Sequence, residues 1–149
     1  MQIVAVVVLV ILLVACALHL LWAFSPWPFS TREQFFRTVM GESSAPSWAA
    51  SKAAFAAACV VVVLLIMCAM ALVAESAGLL SLGLPRWIRL VGVSGVAVVF
   101  LLRGVVGLVA MPRLMQRQAP EFLRWDRRLY SPLFIALGAA VSFIAIRSF

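Results

Sequence analysis

The sequence predicts an all-α membrane protein: a four-helix up-down-up-down transmembrane bundle with two short interfacial amphipathic helices. Three observations predict this. The chain is 66% hydrophobic and only 11% charged, against roughly 45–50% and about 25% in an average soluble domain. Four apolar runs, at about 2–24, 53–74, 88–111 and 132–147, are long enough to consider as membrane spans. The two longer connections each carry a segment, about 31–40 and 120–130, in which aromatic and charged residues alternate at helical spacing. Four spans within 149 residues leave no length for a soluble domain, so the chain is read as one transmembrane domain over 1–149.

The first span could be mistaken for a lipoprotein leader, because Leu13-Val14-Ala15-Cys16 resembles a cleavage box. A leader needs a basic start, and Met1-Gln2-Ile3-Val4 has none; the apolar run also continues for eight residues beyond Cys16. It is therefore read as a span. The first loop then opens a helix at Ser30-Thr31-Arg32-Glu33, which fits a capping box with Ser30 as the cap. The helix should end at Gly41, and its stripe of Phe35, Phe36, Val39 and Met40 predicts that it lies in the head-group layer.

The second and third spans satisfy the need for about 20 residues to cross roughly 30 Å of hydrocarbon. A tight turn at Gly83-Leu84-Pro85-Arg86 joins them. In the third loop, Pro120 can start a helix and Glu121 suits its N-terminal dipole. Ser131-Pro132 is then read as the cap and first residue of the fourth span. That span is short, and Leu129 and Tyr130, or a snorkelling Arg147, make up the difference.

Charge bounds the orientation and the partners. Eight Lys or Arg residues flank the first and third loops and three lie on the opposite side, so the positive-inside rule puts both loops in the cytoplasm. A net charge of +7 could suggest nucleic acid, but the basic residues stand beside apolar spans, where anionic lipid head groups are the cheaper partner. No nucleic acid is expected. Cys16, Cys59 and Cys68 all fall inside spans and make no disulfide framework. Met67, Cys68 and Met70 are spread around their helix, and with a single histidine no metal or cofactor is expected.

One arginine interrupts the third span. At 100° per residue Gly92, Gly95, Val99, Arg103, Gly107 and Ala110 share one stripe, and small residues mark the face where membrane helices approach closely. Arg103 should therefore point into the bundle, roughly 13 Å from Pro112 at the end of its span. His19 lies about 7 Å deep from the same face and shares its stripe with Trp22. Asp126 and Tyr130 approach that face from the third loop and Arg37 from the first. A charge at mid-membrane costs about 2.5–3.5 kcal/mol or more without a partner. Asp126 is the carboxylate on the right side, so it is the expected partner unless a ligand takes its place. The bland alternatives are that Arg103 and Asp126 form only a structural clamp, that His19 is an interhelical hydrogen-bonder, and that the tryptophans are interfacial anchors.

Leu18-His19-Leu20-Leu21-Trp22-Ala23, Trp27-Pro28, Gly41, Pro46, Arg103-Gly104, Asp126 and Tyr130-Ser131-Pro132-Leu133 together resemble a bacterial family of small four-span membrane proteins catalogued as a domain of unknown function. The resemblance covers nearly the whole chain. It implies a multi-pass protein of the bacterial cytoplasmic membrane whose characteristic polar set is His19, Trp22, Arg103, Asp126 and Tyr130. It implies no activity.

Three function classes use these residues differently. In the first, the bundle binds a lipid or small hydrophobic molecule, its polar end held by His19, Trp22, Arg37, Arg103, Asp126 and Tyr130. In the second it is an enzyme acting on such a molecule, with His19 as acid or base and Arg103 stabilising negative charge. In the third it is a non-catalytic subunit or homo-oligomer whose Phe35/Phe36 lid meets another protein. Transport has less support, because no span is broken and no internal repeat appears.

Overall fold

A computed structural model describes residues 1–42, 49, 51–109 and 120–148. The expected end of the third span at 110–111, and Pro46, Trp48, Arg113 and Arg117, lie outside these residues. Helix α1 is Gln2–Phe24. Helix α2, Arg32–Phe35, continues into a π-helical turn over Phe36–Met40. Helices α3 (Lys52–Ser76) and α4 (Arg86–Val109) follow. Helix α5, Pro120–Trp125, passes through a second π-helical turn, Asp126–Tyr130, into α6, Ser131–Ser148. No strand occurs among the described residues.

The four long helices form a ring in which α1 lies along α3, α3 meets α4, α4 lies along α6, and α6 closes onto α1. Neighbours are antiparallel. On α4 and α6 the contacts run in opposite order, with Gly104 against Ile135 and Leu101 against Gly138. The central core is aliphatic, built on Val8 and Leu12 of α1, Val73 of α3, Val93 and Ala97 of α4, and Val141 and Ile144 of α6. Large apolar side chains such as Val7, Leu65 and Leu102 remain on the outside, as membrane spans require.

The first lid is capped one residue later than expected. Thr31, not Ser30, is the N-cap, accepting from Gln34 N–H at 3.1 Å, while Gln34 Oε1 accepts from Ser30 N–H at 3.2 Å. Two overlapping signatures, Ser30-x-x-Glu33 and Thr31-x-x-Gln34, compete in this stretch, and local pattern does not separate them. The lid ends at Gly41 as expected, with φ at 76°, a conformation that favours glycine. Its apolar stripe packs against the ends of α1 and α3. Phe35 and Phe36 are buried against Trp22, Phe55 and each other at ring separations of 5.0–5.6 Å, in the edge-on geometry aromatic rings prefer.

The second amphipathic segment forms but is not set apart from the fourth span. Pro120–Ser148 runs as one helix of 29 residues. Ser131 has helical backbone angles and therefore does not cap a new helix. Pro132 lacks an N–H and its ring excludes the Arg128 carbonyl four residues back. The chain accommodates it by widening the preceding turn, in which Ser131 N–H bonds to the Asp126 carbonyl five residues back. At the far end of the bundle the buried Glu75 carboxylate accepts from Leu82 N–H at 2.5 Å, which ties α3 to the turn that begins α4.

Candidate functional site

The π turn decides where Asp126 points. On a regular α-helix residues five apart are about 140° apart around the axis, so Asp126 and Ser131 would face different neighbours. The widened turn brings them together. Ser131 Oγ donates to Asp126 Oδ2 at 2.9 Å, and Arg103 Nη2 of α4 donates to Asp126 Oδ1 at 2.6 Å. The expected ion pair is thus present, with a hydroxyl that sequence reasoning did not include. Asp126 is 1% exposed and Ser131 0%. In this setting a carboxylate deprived of either partner is costly, because the low-dielectric surroundings offer no water in exchange.

Two glycines of α4 allow the approach. A Cβ at Gly107 would overlap Ser131 Oγ and stand 2.6 Å from Arg103 Nη1 and 2.7 Å from Asp126 Oδ2. A Cβ at Gly104 would lie 2.6 Å from the Ile135 side chain and 2.9 Å from the Ser131 carbonyl oxygen. The small-residue stripe is therefore partly corrected. Gly104, absent from the expected set, is a closest-approach point; Gly95 has nothing within 4 Å and Val99 is 62% exposed. Gly92 abuts Leu72 of α3, and Ala110 lies outside the described residues.

The guanidinium of Arg103 stands over the Phe134 ring at 5.3 Å, and Phe134 in turn contacts Phe100 at 5.8 Å. Its side chain is 30% exposed, and Nη1 is buried with no hydrogen-bond partner. Tyr130 lies within electrostatic reach of the Asp126 carboxylate. Arg103, Asp126 and Ser131 thus form one hydrogen-bonded group, with Tyr130 on the same π-helical turn as Asp126.

His19 and Trp22 form another. His19 Nδ1–H donates to the Ala15 carbonyl at 2.8 Å within α1. Its ring meets Trp22 edge-on at 5.1 Å, and Trp22 Nε1 donates to the Trp27 carbonyl at 2.9 Å. Trp22 therefore braces the first lid. Among the described residues no hydrogen bond, ion pair or ring contact joins this group to Arg103. α1 and α4 occupy opposite corners of the ring, which rotation about a single helix axis cannot reveal. Arg37 belongs to neither group; it pairs with Glu121 of α5 at 3.6 Å and so links the two lids. Both partners are about half exposed, and such a pair contributes little.

The Arg103 cluster carries no net charge, since guanidinium and carboxylate cancel. Ser131 is enclosed, and its hydroxyl is bonded to the Asp126 carboxylate. Hydrogen-bond donation from the guanidinium is what the cluster offers. Among the described residues no group of three His, Cys, Asp or Glu side chains is placed to hold a metal ion.

One family matches the chain, described as "Protein of unknown function (DUF3995)", over residues 4–141. No curated protein and no solved structure matches it.

Proposed function

Because this integral membrane protein belongs to the DUF3995 family, whose function is unknown, its role has to be read from its own residues, and we propose that it binds a lipid or small hydrophobic molecule at Arg103. One observation carries the reading. Arg103 is only partly used by the fold: Nη2 serves Asp126, while Nη1 is buried without a partner and part of the side chain reaches the bundle surface. A buried donor left unmade costs about 1–3 kcal/mol, which a ligand oxygen at the guanidinium edge would recover. Since Asp126 already cancels the charge, the fitting head is uncharged, an ester or amide carbonyl or a hydroxyl. The apolar body would lie along the outward residues Val99, Leu102 and Val106 of α4. We place the protein in the bacterial cytoplasmic membrane with both lids inward, on the eight-to-three distribution of basic residues.

Native mass spectrometry after mild extraction tests the proposal. The wild-type protein should carry a lipid-sized molecule with an uncharged head, and Arg103→Leu combined with Asp126→Leu should lose it while remaining folded. A folded double variant that keeps the same molecule, or a wild-type protein that carries none, would overturn the reading and leave the pair as a structural clamp.

A further inference from the structure

A second site lies on the opposite edge of the ring, where the end of α1 meets the start of α3. A cavity of about 180 Å³ is walled by Phe24, Ser25, Pro26, Arg32, Lys52 and Phe55 among others. We propose that it binds the phosphate of an anionic membrane phospholipid.

The charge of the cavity is the first argument. Among the described residues Arg32 and Lys52 are its only charged walls, and no acidic residue among them lines it. In contrast to Arg103, neither Arg32 nor Lys52 forms an ion pair with a described residue. Arg32 is also held in place. Its Nη2 donates to the Ala49 carbonyl at 3.3 Å, and its guanidinium stands 5.3 Å from the Phe55 ring centroid and 5.9 Å from that of Phe36. A cation positioned in this way loses little freedom on meeting a phosphate oxygen. Lys52 is exposed and adjustable. The N–H groups of the first turn of α3 add to the positive potential.

Depth is the second argument. Phe24 is the last residue of a 23-residue span and is 85% exposed, so it marks the level at which hydrocarbon gives way to head groups. The cations stand at that level, and Phe24 and Phe55 supply an apolar wall for the upper acyl chain. Two uncancelled cations favour a head with net negative charge over a zwitterionic one, whose own cation would be brought toward Lys52.

The test uses the whole protein in mild detergent, titrated with dioleoyl phosphatidylglycerol or dioleoyl phosphatidylcholine and counted by native mass spectrometry. Phosphatidylglycerol should be retained in preference. Lys52→Gln and Arg32→Gln should each weaken its retention about fivefold, and the two together about 25-fold, as expected for one cation near anionic lipid. Arg32 also packs on aromatic rings, so Lys52→Gln is the variant that leaves the fold intact. Arg103→Leu with Asp126→Leu should retain phosphatidylglycerol unchanged, which separates this site from the one proposed above. Equal retention of both lipids, or undiminished retention after Lys52→Gln, would overturn the proposal. So would displacement by equimolar inorganic phosphate, which would assign the cavity to free phosphate.

Discussion

Gly107 of α4 occupies a position where any side chain would take the space filled by the Ser131 hydroxyl. The hydrogen bond from Ser131 to Asp126, and through Asp126 the anchoring of Arg103, depends on that missing Cβ. Gly107→Ala should therefore destabilise the bundle by about 1–3 kcal/mol, the usual cost of overpacking. Gly95→Ala, on the same helix with open space around it, should be neutral or stabilising by up to about 1 kcal/mol. Thermal unfolding in one detergent compares them directly, and equal effects would contradict this account of the helix contact.

Lysine at position 103 separates the clamp from the binding site. Only one guanidinium nitrogen bonds to Asp126, and an ammonium can make that single contact. Arg103→Lys should keep most of the stability and still release the copurifying molecule, because it lacks the remaining donors of the planar fork. Arg103→Leu alone and Asp126→Leu alone should each cost about 3–5 kcal/mol, and the two together less than their sum, since neither charge is then left unpaired. Additive losses in a double-mutant cycle would show that the two residues are not coupled.

The first lid is held by its aromatic residues. Phe35→Ala or Phe36→Ala removes a buried ring and should cost about 3–5 kcal/mol. Cys59 is buried in the same cluster, so it offers a direct readout. In a protein whose other two cysteines are replaced, Cys59 should react slowly with a maleimide and become reactive when Phe36 is truncated. Unchanged reactivity would mean that the lid does not depend on these rings.

Orientation is open to a similar chemical test. Gln34 is exposed on the first lid, and the distribution of basic residues places that lid in the cytoplasm. In intact cells Gln34→Cys should resist a membrane-impermeant thiol reagent and react once the membrane is permeabilised. Labelling from outside would reverse the topology.

How far the sequence alone reaches depends on whether a feature is local. The four spans could be read directly, because burying roughly 20 residues in hydrocarbon leaves a compositional mark that no neighbour alters. The pairing of Arg103 with Asp126 was also legible. A guanidinium inside the membrane needs a partner, and elimination by depth left one suitable carboxylate. The tertiary structure decided which neighbour each helix face meets. Periodicity gave His19 and Arg103 inward faces at one membrane side, but the ring order of the helices, set by packing over their whole lengths, put them at opposite corners. It likewise turned Phe35 and Phe36 inward onto Phe55, a residue 19 or 20 positions away. The parts of the Arg103 cluster that sequence reasoning missed share one physical cause. Ser131 reaches Asp126 only because Pro132 forces a widened turn, and Gly107 matters only because α6 passes close enough to need its missing Cβ. Distances between helices are a property of the assembled bundle, and no periodicity along a single chain contains them.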